Sequence, residues 1–267
     1  MLQMDIAWGA PEENRRRAEQ LIAQSEPSDL YVLPEMWATG FTMTPETQAE
    51  DETNSPSLAW MQQIAERHQC AVCGSLAIKA FDGTYRNRLY FVTPSLAEGK
   101  CQEDGGKQAP HYTYYDKHHL FTHGHEHEHY TPGHEAVIFL WKDFRILFQT
   151  CYDARFPVFS RYGRVGEYDA IIYVANWPAS RRLAWDTLIR ARAIENQSYV
   201  VAVNRVGTDP VTHYDGGSAV IDPIGRTVVE APDGQTSAVF AVLDSERLQS
   251  MRQHFRVLDD RDSTLLR

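Results

Sequence analysis

The sequence predicts one domain of the α/β or α+β class with a large sheet content, running over residues 1–267. Short apolar runs rich in Val, Ile, Tyr and Phe recur between Gly, Pro and Asp, as strands do. Amphipathic stretches with helix-start signals alternate with them through the first half. No linker, low-complexity stretch or internal repeat divides the chain. A chain of 267 residues can bury a substantial core, and 43% hydrophobic against 23% charged residues is the balance of a globular protein.

A first helix is expected at about 11–24 and a first strand at 30–33. Asn54-Ser55-Pro56 opens a second helix at 56–69, with a capping side chain followed by proline at the first helical position. Strands follow at 71–78, 88–93, 136–141, 146–150 and 170–175. A third helix is expected at 180–197, where Leu183, Thr187, Arg190, Ala191 and Ile194 fall on one side. Beyond it the chain leans to strand pairs at 200–204, 218–221 and 238–243, with turns such as Asp222-Pro223-Ile224-Gly225. These signals leave the connectivity open.

The formal charge is −10, from 26 Lys plus Arg against 36 Asp plus Glu. Such a surface repels phosphate backbones and anionic membranes. The Arg15-Arg16-Arg17 triplet has Glu12, Glu13 and Glu19 around it, which reads as a solvated helix face. Neither a nucleic acid nor a membrane is expected as a partner. The first residues hold no apolar stretch long enough for a signal peptide, so a cytoplasmic location is the default expectation. Cys70, Cys73, Cys101 and Cys151 are too few and too scattered to make a disulfide framework in a chain of this size.

Cys151 ends an apolar run and is followed by Tyr152-Asp153-Ala154-Arg155-Phe156-Pro157. At a turn from strand to helix its sulfur would point outward. The helix start would favour thiolate, and the N–H groups just after it would be free to hold an oxyanion. The commoner fate of a lone cysteine is packing as a small hydrophobe. Glu35, in Leu33-Pro34-Glu35-Met36-Trp37-Ala38-Thr39-Gly40-Phe41, directly follows a strand. Open α/β folds place their sites there, and apolar neighbours would desolvate a working base; an exposed loop glutamate is the other reading. Lys117, in Tyr114-Tyr115-Asp116-Lys117-His118-His119-Leu120-Phe121, could stabilise an anion or be an ordinary surface lysine. Together, a thiol, a base and a cation make a complete acyl-transfer site.

The Glu35, Lys117 and Cys151 boxes, in this order and context, resemble the Glu-Lys-Cys triad of the nitrilase, or carbon–nitrogen hydrolase, superfamily. The likeness extends through Asp5-Ile6-Ala7-Trp8, Pro11 and Asn14, and through Cys73-Gly74-Ser75. It continues in Asn176-Trp177-Pro178, Arg190 to Asn196, and Asp215 to Pro223. The resemblance implies a four-layer α-β-β-α sandwich that pairs across its helices into homodimers or larger assemblies. Cys151-Tyr152-Asp153 is the form seen in amidases, where true nitrilases tend to carry Cys-Trp-Glu. The Trp37-Ala38-Thr39-Gly40-Phe41 and Asn176-Trp177-Pro178-Ala179 boxes look closest to the omega-amidase branch, which deaminates 2-oxoglutaramate or succinamate. The family's second glutamate lies seven residues before a glycine; Glu126 stands in that relation to Gly133, and Glu128 does not. Its implied role is to position Lys117 and the substrate amide. The chain opens inside what the resemblance makes the first strand, so that strand is expected to be short or trimmed.

The expected chemistry is attack by Cys151 on a terminal amide, with Glu35 as base, Lys117 and the Tyr152 N–H at the oxyanion, and a thioester intermediate. A dicarboxylate-like substrate needs a cation for its far carboxylate, for which Arg155, Arg181 and Arg182 are candidates. Trp37, Phe41 and Trp177 are expected to wall the pocket, with Tyr152 and Asn176 beside them. No cofactor or metal is expected. Rival readings are another carbon–nitrogen hydrolase on the same triad (aliphatic amidase, N-carbamoyl hydrolase or nitrilase), a non-enzymatic relative, and a His-rich metal-binding protein. Eight of the eleven histidines fall between His111 and His134, including His123, His125, His127 and His129. Their alternate spacing converges on no single helix face, and on a strand spreads the ligands roughly 6–7 Å apart. Cys70-Ala71-Val72-Cys73 has the spacing of a metal or redox pair, but positions three apart on a strand face opposite sides.

Overall fold

The computed structural model describes residues 1–95 and 111–262; Cys101 lies outside them. Leu30–Val32 (β1), Ala71–Lys79 (β2), Tyr85–Val92 (β3) and Tyr112–Asp116 (β4) form one sheet in that order, with Glu50–Asp51 added beside β2. Ile138–Trp141 (β5), Phe144–Thr150 (β6), Ala170–Ala175 (β7), Tyr199–Asn204 (β8), Ala219–Ile221 (β9) and Thr227–Glu230 (β10) form the other, again in chain order. In the first sheet β1 and Glu50–Asp51 both run parallel to β2, while β2–β3 and β3–β4 are antiparallel. In the second, β6, β7 and β8 run parallel, while β5, β9 and β10 run against their neighbours.

Alternation along the strands explains the stacking. Val72 and Tyr90 join one apolar layer while Cys73 and Phe91, next in sequence, join another. Ile171 and Val200 likewise face away from Ile172 and Val201. With both faces of each sheet apolar, each needs two covers. Between the sheets Val32, Leu89, Phe91 and Tyr115 meet Phe148, Ile172, Val174 and Val203. The helices Pro11–Ala23 (α1) and Pro56–His68 (α2) cover the outside of the first sheet through Ala18, Leu21, Ile22, Met61 and Ile64. Arg182–Asn196 (α3) covers the second through Trp185, Ile189 and Ala193. The result is the expected four-layer α-β-β-α sandwich.

Local chemistry sets the helix ends. Ser55 accepts a hydrogen bond from the Leu58 N–H at 3.1 Å, and Pro56 follows at the first position. α2 ends on Gln69 and α3 on Gln197, each in the left-handed conformation. The turn 222–225 closes the β9–β10 hairpin as expected, with Arg226 C=O accepting from Asp222 N–H at 2.8 Å.

Four elements differ from expectation. The strand expected at 238–243 is only Ser237–Ala238, which pairs with Leu2–Gln3 near the chain start. Ser245–His254 (α4) follows, capped by Asp244, where no helix is expected. β4 is a strand where none is expected, because Tyr112-Thr113-Tyr114-Tyr115-Asp116 is a partly exposed edge strand in which only Tyr115 is buried. Finally, the α3 stripe of Leu183, Thr187 and Ile194 faces outward, with Leu183 81% exposed. The helix carries two apolar faces, and the larger, with Trp185, takes the core.

Candidate active site

Glu35 follows β1, Lys117 follows β4, Cys151 follows β6 and Asn176 follows β7. β1 and β4 run the same way in one sheet, as do β6 and β7 in the other, so four strand carboxyl ends open on one region. Beyond β1 the chain turns sharply, with Met36 at φ 42°. Its N–H is held by Ser75 Oγ at 2.9 Å, which fixes the turn carrying Glu35.

Glu35, Lys117 and Glu126 are all fully buried and bonded together. Lys117 Nζ donates to Glu35 Oε1 at 2.8 Å and to Glu126 Oε2 at 2.8 Å. Asn176 donates twice to Glu35, from its main-chain N–H to Oε2 at 2.8 Å and from Nδ2 to the carbonyl at 2.7 Å. Glu126 Oε2 also accepts the Phe121 N–H at 2.6 Å. Burial works against the charge on Lys117, but Glu126, Glu35 and Cys151 outweigh it and hold the ammonium above its ordinary pKa. Burial likewise lifts Glu126 above the usual carboxylate range, with Lys117 pulling it down and Glu35 pushing it up.

Gly133 has a physical reason to lie where it does. A Cβ there would sit 2.3 Å from the Asp116 carbonyl oxygen, and its N–H donates to the Lys117 carbonyl at 3.0 Å. The segment after Glu126 therefore presses directly on the backbone that carries Lys117. Gly133→Ala is expected to cost about 1–3 kcal/mol by overpacking and to lower kcat, checked by urea unfolding and an ammonia-release assay.

Cys151 opens a short 3-10 turn, Cys151–Arg155, at φ 47°. Its residue is 8% exposed and lines a cavity of about 340 Å³. Against the thiolate that a helix start favours stand burial and a neighbouring carboxylate. Burial pushes the thiol well above its ordinary pKa, Glu35 adds to this, and Lys117 only opposes it. Asp153 ties this turn to the lysine loop: its buried carboxylate accepts from the N–H groups of Thr150 and His119, each at 2.9 Å, and from Tyr115 Oη at 2.7 Å. Arg192 on α3 braces the turn from behind through the Ala154 carbonyl at 2.7 Å.

Around the cavity, Phe41, Tyr152, Asn176, Trp177, Arg155 and Arg181 are brought together as expected. Trp37 is not among them. It is fully buried against Trp60, in space left by Gly74, where a Cβ would lie 2.8 Å from its ring. Arg182 is also elsewhere, committed to Asp186 and Asp233 at 2.7 Å and to Glu230 at 3.1 Å. Arg155 instead lies over the Trp177 ring at 4.9 Å and Arg181 over Phe121 at 5.2 Å. Among the described residues neither forms a salt bridge. The Asp209 carboxylate at the cavity rim is turned to its own hairpin, accepting from Val211, Thr212 and Tyr214. Trp8, Met43, Phe121 and Tyr214 also line the cavity without having been expected there: Trp8 and Tyr214 come from segments remote from the three boxes, while Phe121 closes the Lys117 box and Met43 lies just past the Glu35 box.

The competing features settle elsewhere. Glu126 begins a one-turn helix, Glu126–His129, in which it alone is buried, so its alternation with the histidines marks no ligand face. Among the described residues no group of three or more His, Cys, Asp or Glu side chains is placed to hold one metal ion. Cys70 packs in the helix-covered layer and Cys73 between the sheets, and burial lifts both thiols, Cys70 to about 12. Among the described residues no helix is long and apolar enough to cross a membrane.

A thiol beside a buried carboxylate–ammonium–carboxylate chain is equipment suited to acyl transfer. Comparison with known proteins identifies the lineage. Residues 1–253 match the carbon-nitrogen hydrolase family. Omega-amidase YafV of Yersinia enterocolitica is 39% identical over 100% of this chain and 97% of that protein. The 2-oxoglutaramate amidase of Bacillus subtilis (strain 168) is 32% identical over 97% of this chain and 95% of that one. XC1258 from Xanthomonas campestris, a CN-hydrolase superfamily protein with an arsenic adduct in the active site, superposes with a TM-score of 0.88. It is 39% identical, over 98% of this chain and 96% of its own. The chain belongs to the carbon–nitrogen hydrolase family, and it is an amide-hydrolysing enzyme.

Proposed function

We propose that this enzyme is a cysteine-dependent omega-amidase, which hydrolyses the terminal amide of a small dicarboxylate monoamide such as 2-oxoglutaramate or succinamate. The observation that carries the substrate is the pair of arginines, Arg155 and Arg181, stacked on Trp177 and Phe121 in the cavity that Cys151 lines. A guanidinium without a carboxylate partner in an apolar-walled cleft suits the far carboxylate of such a substrate. The likeness to proteins named omega-amidase and 2-oxoglutaramate amidase supports the same reading.

In the proposed mechanism, substrate enters with its amide carbonyl over Cys151. Glu35 accepts the thiol proton and the sulfur bonds to the carbonyl carbon. The oxyanion is met by Lys117 Nζ and by the Tyr152 N–H, because the first N–H groups of a helical turn lack intrahelical acceptors. Lys117, held above its ordinary pKa, keeps its proton and acts through charge. Glu35 then returns the proton to nitrogen, the carbon–nitrogen bond breaks, and ammonia leaves a thioester. Water attacks that thioester while giving a proton to Glu35. Collapse of the second tetrahedral adduct frees the acid and returns the proton to sulfur. Among the described residues Asn176 Oδ1 is buried without a protein partner, which suits it to accept from the substrate's amide N–H. The chain is read as one domain working in the cytoplasm, as a homodimer or higher homo-oligomer.

Arg155→Ala and Arg181→Ala test the substrate. At least one is expected to raise KM for 2-oxoglutaramate roughly 10- to 100-fold, the loss of a charge-assisted hydrogen bond, while changing KM for a neutral amide such as butyramide less than threefold or so. Unchanged KM in both variants rejects the dicarboxylate monoamide. A panel of nitriles and N-carbamoyl compounds then ranks the alternatives.

A further inference from the structure

Asn87 lies within β3, fully buried, and is used by nothing in the mechanism above. Its Nδ2 donates to Glu35 Oε1 at 2.7 Å and to Glu126 Oε1 at 2.9 Å. Its carbonyl accepts the Lys117 main-chain N–H at 2.9 Å. On the far side, Oδ1 accepts from Ser75 Oγ at 2.9 Å, and Ser75 Oγ accepts from the Met36 N–H at 2.9 Å. The amide can face only one way. Met36 N–H is a donor, so the Ser75 proton is left for Asn87, and Asn87 must present oxygen to it and nitrogen to the two carboxylates.

Glu35 is thereby nearly filled. Oε1 accepts from Asn87 and Lys117, and Oε2 from the Asn176 N–H. A carboxylate has about four acceptor sites, so the open one lies on Oε2. We infer that Asn87 is a positioning residue that clamps both carboxylates by their Oε1 atoms beside one lysine and turns the open face of Glu35 Oε2 to the thiol. Ser75 fixes the direction of the clamp and, through Met36, the backbone turn that carries Glu35. The charged and titratable groups around this point are Lys117 after β4, Glu126 on its one-turn helix, Cys151 on the 3-10 turn, and Tyr130, whose hydroxyl is bonded to the Thr42 carbonyl. The inference rests on Glu35 being the base, as proposed above.

The test uses the full chain with Asn87→Ser, Asn87→Asp and Ser75→Ala, and with Cys151→Ala and Glu35→Gln as controls. It measures kcat/KM for 2-oxoglutaramate from pH 5 to 9, together with the rate of Cys151 alkylation by iodoacetamide. Asn87→Ser is expected to lose roughly 10- to 100-fold in kcat/KM, the size of a hydrogen bond to a charged group. Its acid limb, and that of alkylation, should move up by about one pH unit, because the charged carboxylates have lost a donor. Asn87→Asp adds a like charge and should move the limb further; Ser75→Ala should move it less, in the same direction. A merely structural role lowers the active fraction and leaves the limb in place, so an unmoved limb in any folded variant overturns the inference. If Asn87→Ser does not fold, Ser75→Ala decides. Ammonia release surviving in Cys151→Ala or Glu35→Gln is a different failure, since it removes the mechanism and leaves the clamp without a base to position.

Discussion

Cys151→Ala is expected to lower kcat for amide hydrolysis by at least about 10⁴-fold, the scale seen when a nucleophile is removed from a unit of residues that act together. No other cysteine among the described residues can stand in. Cys70 and Cys73 lie in two different core layers, both fully buried, with thiols raised by burial. The fold should survive, because alanine keeps the Cβ that packs beside Ala154 and Trp177 and loses only a sulfur at the cavity floor. Intact-mass measurement with succinamate and hydroxylamine should detect a covalent acyl adduct on the native chain and none on the variant, whose thermal midpoint stays within a few degrees. Ammonia release by the variant within tenfold of native would sink the cysteine mechanism.

Lys117→Met should damage both catalysis and stability. In the native site one ammonium contacts both carboxylates at hydrogen-bonding distance, and all three side chains are fully buried. Taking away one partner of a buried ion cluster leaves uncompensated charge, a loss of about 3–5 kcal/mol near neutral pH. Glu35 and Glu126 would then face each other with only Asn87 between them, and the pair would take up a proton. Base and oxyanion partner are weakened together, so kcat is expected to fall by about 10³-fold or more.

The pH dependence separates this from a packing defect. In the native chain Lys117 is raised above its ordinary 10.5. Its contribution is therefore fully present below that value and is lost only as pH rises through the folded pKa. In Lys117→Met the Glu126 carboxyl, which burial and Glu35 already raise, loses the lysine that pulls it down, so in the folded state it is expected to stand further above its unfolded value of about 4.3. The folded variant then binds more protons than the unfolded chain, and stability falls as pH rises through the pair's folded pKa. Urea unfolding at pH 5.5 and pH 8 should show the stability gap to native widening at pH 8. An equal gap at both values would mean that lost packing, rather than unpaired charge, is responsible.

Taken singly, Glu35, Lys117 and Cys151 were ambiguous in the sequence; they stood out because a base, a cation and a thiol together make an acyl-transfer site and because their three boxes resemble the family's triad. Glu126 was reached only through the family resemblance, which implies a second glutamate seven residues before a glycine; in the structure that glycine, Gly133, presses on the Asp116 backbone. Asn87 was not legible. It reads as one polar residue in Tyr85-Arg86-Asn87-Arg88, and its partners lie 52 and 39 residues away. Trp37 misled for the opposite reason. Adjacency to Glu35 suggested a pocket wall, whereas strand-end geometry turned it inward over Gly74. The stripe on α3 misled because two faces of one helix satisfy the same apolar spacing.

By itself, then, the sequence determined the class of fold, the order of most strands and helices, and the chemistry available at three strand ends. These are properties of short-range pattern: side-chain alternation, caps, and a reactive group where a strand stops. Tertiary structure alone decided which arginines meet the cavity, since Arg155 and Arg181 rest on aromatic rings there while Arg182 is held by four carboxylates. It also decided that burial and Glu35 push the Cys151 thiol above its ordinary pKa, against the pull of a helix start. Both outcomes depend on burial and on charges brought in from distant segments. Those are long-range quantities, and no window of neighbouring residues contains them.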